Sequence, residues 1–241
     1  MSDLAALVTG ASTGIGRAIA HTLLEDGYAV TICSRTPERI EAAGTELAAV
    51  GEVNVIAADV SRAEDVQRLV AGHEERFGRL DVLVNNAGTV VAGALSAAPV
   101  EELDASMAAN VRSNWLVTAA AIPMLKAAGE EHGQALLVTT SSILGRYGQW
   151  FVPAYSASKA ALFALSQAVQ QELADSGVRV TTLAPAYVAT PMTEPLQHLD
   201  RDKLIRPEDV AEAVRFLTRL SRNCVVPEIQ MLRPEDHLLS A

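Results

Sequence analysis

Apolar runs of strand length alternate with helical stretches along the whole chain of 241 residues, and that alternation leaves few folds open. It is the pattern of parallel strands joined by helical crossovers. Strands are expected near 5–9, 28–33, 53–58, 81–84, 135–140, 178–184 and 228–232, and helices near 14–26, 37–49, 62–76, 99–126, 154–175 and 207–221. The runs VLVN, ALLVTT and VRVTTLA show little polar alternation, as strands covered on both faces do. The expected class is therefore α/β, a doubly wound parallel sheet of about seven strands with helices on both faces. No repeat, linker or low-complexity segment interrupts the pattern. A chain that is 49% hydrophobic can bury one large core, so residues 1–241 are read as a single domain. Pro207, followed by Glu208 and Asp209, reads as a helix start, because proline suits the first turn and carboxylates suit the dipole there.

Composition excludes several function classes. The formal net charge is −10 and no cluster of Lys and Arg appears, which argues against nucleic acid as a partner and disfavours strongly anionic substrates. No apolar run approaches the roughly 20 residues that span a bilayer, and the N-terminus lacks a basic segment followed by an apolar stretch. No membrane association is expected, and the expected location is cytoplasmic. Cys33 and Cys224 are too few for a disulfide framework and have no metal-ligand spacing. Both are expected as reduced core or near-core thiols, with no metal site.

Two local patterns suggest chemistry. LAALVTG reads as a short strand running into TGASTGIG, and RAIAHTLLEDG follows as a helix. Gly10, Gly14 and Gly16, with Ser12, Thr13 and Ile15 between them, would let the backbone turn sharply and bring its amides and a helix N-terminus against a diphosphate. Any strand-to-helix turn can use glycine, but here strand, turn and helix occur in the required order. Further on, YSASK places Tyr155 and Lys159 four residues apart, stacked on one helical face. A neighbouring ammonium would lower the phenol from its usual value near about 10 and make it an acid useful near neutrality. The competing reading of the pair alone is a surface helix with a coincidental spacing.

From about Leu4 to about Leu220 the sequence resembles the short-chain dehydrogenase/reductase family. The resemblance rests on the T-G-x-x-x-G-x-G turn at Thr9 to Gly16, NNAG at Asn85 to Gly88, Ser142 thirteen residues before Tyr155, Lys159, and Asn110 in DASMAANV. It implies a Rossmann-type fold and the catalytic set Asn110, Ser142, Tyr155 and Lys159. Tyr155 would be the acid/base, Lys159 would stabilise its phenolate and bind the nicotinamide ribose, and Ser142 would donate to the substrate oxygen. Asn110 would order a water leading from Lys159 to solvent. Duller roles remain beside these: Ser142 lies in TTSS at a strand end, where serines satisfy backbone groups, and Asn110 is also compatible with a helix kink. Spacing favours Ser142 over Ser141. His21, His73, His132, His198 and His237 fall outside every matched motif and are expected at the surface.

The resemblance also implies a dinucleotide cofactor. Discrimination between the two nicotinamide dinucleotides falls about 20 residues after the glycine turn, here in CSRT. Ser34 stands where NAD-dependent relatives carry Asp, and Arg35 can pair with a 2′-phosphate. NADP(H) is expected, with NAD(H) less favoured; a second basic residue inside the glycine turn is absent, Thr13 standing there. Asp59 and Val60 match the adenine site, although Asp59 also reads as a cap of the next helix. Asn86, Ala87 and Gly88 match the segment behind the adenosine, and Asn85 reads equally as a residue tying strands together. Pro185, Val188 and Thr190 match the stretch that holds the carboxamide, where Ala186 departs from the usual glycine.

The reaction implied is interconversion of a carbonyl and an alcohol by hydride transfer, on a small-molecule ketone or aldehyde. Tyr147, Trp150 and Phe151 lie between Ser142 and Tyr155, in the loop that lines the family's pocket, and suggest a moderately apolar substrate or subunit packing. The lid at 190–206 is short and includes Pro195. PEIQMLRP near the C-terminus resembles NADP-dependent reductases of small hydroxy acids, amino alcohols and ketones. Alternatives are a 3-oxoacyl-(acyl-carrier-protein) reductase, for which Ser176 before Gly177 is an unfavourable sign, a catalytically silent NADP-sensing regulator, and a nucleotide-sugar isomerase or epimerase. Ala160 to Gln171 contains no charged residue, as in a helix buried all round. A homodimer or homotetramer through the helices near 99–126 and 154–175 is expected.

Overall fold

The computed structural model describes residues 4–197 and 199–236. Its seven strands form one parallel sheet in the order β3-β2-β1-β4-β5-β6-β7. They are β1 (Ala5–Thr9), β2 (Ala29–Ser34), β3 (Val53–Ala57), β4 (Val82–Asn85), β5 (Ala135–Thr140), β6 (Val178–Pro185) and β7 (Glu228–Met231). The strand residues alternate between two cores, because successive side chains on a strand point to opposite faces. Ala6 and Val8 face one core, with α1 (Gly14–Glu25), α2 (Pro37–Leu47) and α7 (Pro207–Thr218) covering it through residues such as Ile19, Ile40 and Val210. Leu7 and Leu83 face the other, under α3 (Ala63–Phe77), α5 (Ser113–His132) and α6 (Pro153–Leu173), through Leu69, Leu125 and Leu173. Leu7 and Leu83 are completely buried, and truncating such a leucine to alanine costs about 2–5 kcal/mol.

Order reverses between β1 and β4. The chain leaves β1 toward β2 and β3, and leaves β4 toward β5, β6 and β7, so the connections diverge above the carboxyl ends of β1 and β4 and open a crevice there. That crevice positions the site.

Three expectations are corrected. The single helix expected at 99–126 is α4 (Val100–Met107), a π-helical turn (Ala108–Arg112) and α5, which continues to His132 and ends at Gly133 with φ 71°. His73 is not at the surface: it is fully buried, with Nδ1 2.7 Å from Thr31 Oγ1 and Nε2 2.8 Å from the Arg79 carbonyl. Burial lowers its pKa and keeps it neutral. Cys33 is buried as expected, but Cys224 is exposed, in the loop after α7. Helix α6 leaves Ala160, Ala164, Gln167 and Ala168 exposed on its outer side in the single chain, the side for which its uncharged run calls for a subunit partner. His21 and His132 are at the surface, whereas His198 and His237 lie outside the described residues.

Candidate active site

The glycine turn between β1 and α1 forms the floor of the crevice. Gly10 adopts φ 66°, a left-handed conformation that side chains resist, and a Cβ there would stand 2.9 Å from the Ala87 backbone. A Cβ on Gly16 would stand 2.4 Å from the Gly10 carbonyl oxygen. Asn86 holds this approach by donating from Nδ2 to the carbonyls of Thr9 and Gly10, each at 3.2 Å. The residue tying strands is thus Asn86; Asn85 instead reaches from β4 to α5, donating to Asn114 Oδ1 at 3.2 Å and Thr118 Oγ1 at 2.8 Å.

A cleft of about 300 Å³ runs from this turn across the carboxyl ends of β2 and β3. It brings together Gly10, Ser12, Thr13, Ser34, Arg35, Asp59, Val60, Ala87 and Gly88 of the expected cofactor residues. Ile15 packs into the core behind it, and Gly14 opens α1. Asp59 already accepts from the Ser61 amide at 3.0 Å and hydroxyl at 2.7 Å through Oδ1, which leaves Oδ2 toward the cleft without a hydrogen bond among the described residues. The cleft fits a nicotinamide dinucleotide: its floor is closed to any side chain at Gly10 or Gly16, and Ser34 Oγ is buried with no partner. Arg35 and Arg39 both line its outer end, and neither has a salt bridge or hydrogen bond among the described residues. Arg39 was missed from sequence; its spacing of four from Arg35, across the start of α2, was the available signal. Thr89 and Met192 also line the cleft and had no motif to mark them.

The other wall of the crevice holds the catalytic candidates. Tyr155 is 9% exposed, Lys159 4%, Ser142 7% and Asn110 0%. Ser142, two residues beyond β5, accepts from the Leu144 amide at 3.2 Å and donates to the Pro185 carbonyl at 3.4 Å. Ser141 braces α6 instead, donating to the Lys159 carbonyl at 2.8 Å. Lys159 Nζ lies 5.6 Å from the centre of the Tyr155 ring and donates to the Thr140 carbonyl at 2.9 Å.

The expected lowering of the phenol by the ammonium is overturned here. Burial pushes Tyr155 up to about 12, with the Ser142 hydrogen bond acting weakly against it. Burial also brings Lys159 down to about 8. Desolvation decides both shifts, because each charged form loses water and each finds few dipoles in return. In this arrangement the phenol holds its proton throughout the neutral range.

Asn110 is fixed by the π-helical turn and does not reach Lys159 with a free side-chain group. Its Oδ1 accepts from the Thr89 amide at 2.8 Å, and its Nδ2 donates to the Thr89 carbonyl at 3.0 Å and to Ser158 Oγ at 2.9 Å. Val188 and Thr190 stand at the foot of the 190–206 loop, which is pinned by a bridge from Val188 to Ile205 and by Thr193 Oγ1 donating to the Val188 carbonyl at 2.7 Å. Ala186 fits without a left-handed backbone, and its amide donates to the Met231 carbonyl at 2.8 Å.

The sequence model of the family described as short chain dehydrogenase matches residues 4–200. An uncharacterized oxidoreductase of Staphylococcus aureus (strain MRSA252) is 33% identical over 229 residues, covering 95% of this chain and 96% of that protein. An alcohol dehydrogenase from the archaeon Thermococcus sibiricus, solved with 5-hydroxy-NADP, has a TM-score of 0.87 at 33% identity, covering 96% of this chain and 99% of that one. A 3-ketoacyl-(acyl-carrier-protein) reductase from Brucella melitensis, solved with NADH, has a TM-score of 0.85 at 28% identity, covering 95% of this chain and 97% of that one.

Proposed function

This chain belongs to the short-chain dehydrogenase/reductase family, and we propose that within it the protein is an NADP(H)-dependent reductase of small ketones or aldehydes, with Tyr155 as the acid. The observation that carries this reading is the burial of Tyr155, Ser142 and Lys159 together beside the crevice. The dinucleotide supplies the hydride when bound. Gly10 and Gly16 admit its diphosphate, and the cleft end at Ser34, Arg35 and Arg39 would hold a 2′-phosphate by paired guanidinium contacts.

Ser142 would donate to the carbonyl oxygen as charge develops, and Tyr155 would pass its proton to the same oxygen. Lys159, a cation below about pH 8, would stabilise the phenolate left behind and then be relieved as the phenol regains a proton from solvent. The apolar side chains Leu95 and Trp150, both 76% exposed, favour a substrate with an apolar flank. The loops carrying them are joined by the Gly93 amide donating to the Phe151 carbonyl at 2.9 Å. A homo-oligomer through α4, α5 and α6 accords with the exposure of Val100, Leu103 and Trp115.

The test is a panel of ketones and aldehydes mixed with the protein and NADPH, read as loss of nicotinamide absorbance. Turnover of at least one apolar ketone is expected. Binding of NADPH with no turnover on any carbonyl would replace this reading with that of a dinucleotide sensor. The likeness to the Brucella melitensis reductase keeps one second reading, an acyl-carrier-bound ketone, which a large preference for a carrier-linked over a free substrate would establish.

A further inference from the structure

Resting on the proposed proton transfer from Tyr155, we propose that Ser158 is a positioning residue of the catalytic apparatus: its hydroxyl locks the carboxamide of Asn110 and ties it to the helical turn that carries Tyr155 and Lys159. Ser158 lies between those two in sequence and is 0% exposed. Its hydroxyl proton is committed, since Oγ donates to the Tyr155 carbonyl of its own helix at 2.7 Å. The oxygen can then only accept, and it does so from Asn110 Nδ2 at 2.9 Å and from Ser106 Oγ at 3.3 Å. Ser106, also 0% exposed, accepts from Asn110 Nδ2 at 3.3 Å.

This arrangement gives the amide one orientation. At its other end the Thr89 amide needs an acceptor and receives Asn110 Oδ1 at 2.8 Å. A flipped carboxamide would set donor against donor at Thr89 and oxygen against oxygen at Ser158, where the Asn110, Ser106 and Ser158 side chains are fully buried. Three elements are thereby clamped through one side chain: the segment after β4, the π-helical turn, and α6.

The clamp borders the reacting groups. A Cβ built on Gly88 would stand 2.7 Å from Asn110 Oδ1 and 3.5 Å from Lys159 Nζ, so the amide oxygen and the ammonium flank the same patch of backbone. Removing the Ser158 hydroxyl leaves a buried N–H without its close acceptor, and a π-helical turn, with its looser hydrogen-bond ladder, is the element that can yield. Movement of Asn110 there changes the wall facing Lys159 and hence the surroundings in which Tyr155 gives up and regains its proton. Binding of the nucleotide at the far end of the cleft is untouched.

The experiment is Ser158→Ala, alone and in an Asn110→Ala background, assayed with NADPH and a ketone the wild type reduces. Loss of one acceptor for a buried donor should lower kcat about tenfold, leave KM for NADPH unchanged, and displace the pH profile of kcat. In the Asn110→Ala background the same change should cost almost nothing further, because Ser158 acts through Asn110. An undiminished kcat, or an equal loss in both backgrounds, overturns the proposal. Should Ser158→Ala fail to fold, Ser158→Cys, which is somewhat larger and keeps a weak acceptor, is expected to show an intermediate loss in kcat, and full activity in it overturns the proposal. If no carbonyl is turned over by the wild type, the functional reading fails by itself. The lock is then judged from exchange of the Asn110 side-chain NH₂ with solvent by NMR: slow in the wild type and accelerated in Ser158→Ala if it exists, equal in both if it does not.

Discussion

The two walls of the crevice are built from different materials. The nucleotide wall, from β1 to β3, presents backbone, glycines and two exposed arginines with no partner among the described residues. The wall proposed for catalysis, or catalytic wall, from β4 to β6, presents buried side chains whose hydrogen bonds are nearly all made within the protein. One wall must therefore suffer most from added atoms and the other from removed ones. The contrast has a physical source: a diphosphate is recognised by main-chain amides that need close approach, whereas a transferred proton needs one side-chain atom held in place.

The largest effect expected is on the catalytic wall. Tyr155→Phe removes a single oxygen and should lower kcat by about a thousandfold or more, within the range general acid catalysis supplies, while the dissociation constant for NADPH, measured by its fluorescence, changes little. A Phe variant retaining most of its rate would break the comparison at its centre. On the nucleotide wall the corresponding lesion is an addition. Gly16→Ala places a methyl 2.4 Å from the Gly10 oxygen, backbone that cannot step aside, and overpacking of this kind costs about 1–3 kcal/mol. Calorimetric titration should show NADPH affinity falling about tenfold or more. Unchanged affinity would mean that the glycine turn does not cradle the cofactor.

The same contrast explains what could be read from the sequence. β5 was expected at 135–140 and spans Ala135–Thr140, because an apolar run with β-branched residues and no polar alternation needs no tertiary information. The glycine turn and the Tyr155/Lys159 spacing were equally legible, being local patterns. The π-helical turn at Ala108–Arg112 was not: its sequence, AANVR, continues the helical character on both sides, and the extra residue is imposed by Asn110 reaching Thr89 and Ser158. Helix α5 runs beyond residue 126 because its polar tail still hydrogen-bonds as helix until Gly133 turns left-handed. His73 followed a visible signal, since Val66, Leu69, Val70 and His73 share one helical face. The direction of the Tyr155 shift was illegible because desolvation depends on what packs around the phenol, and no spacing encodes that.

Intermediate effects come from the arginines. Arg35→Ala and Arg39→Ala should each weaken NADPH binding about tenfold and leave NADH binding nearly unchanged, since a hydrogen bond to a charged group contributes about 1.5–3 kcal/mol. The double variant should favour NADH more than either single one. Equal losses for both dinucleotides would show that these arginines serve the fold and not the 2′-phosphate.

The smallest effect sharpens the comparison through pH, because burial of the Lys159 ammonium in the catalytic wall moves its titration toward neutrality. Lys159 falls from 10.5 to about 8 in the folded protein through burial. Between those values the unfolded chain holds a proton that the folded protein has released, so folding stability rises with pH across this window, by at most about 1.4 kcal/mol per unit. Below pH 8 the cost of burying the ammonium is present in full. Cys33 and Tyr155 act in the opposite sense: burial raises both to about 12, from 9.0 and 10.0, so the unfolded chain releases those protons first and stability falls as pH climbs past 9. The contribution of Lys159 is cleanest between pH 8 and 9, and cleaner still as the difference in unfolding free energy between wild type and Lys159→Met, in which Cys33 and Tyr155 cancel. That difference should move in favour of the wild type as pH rises through 8. A difference that stays flat from pH 7 to 10 would mean the ammonium keeps its ordinary pKa in the folded protein, and that the catalytic wall is wetter than its burial implies.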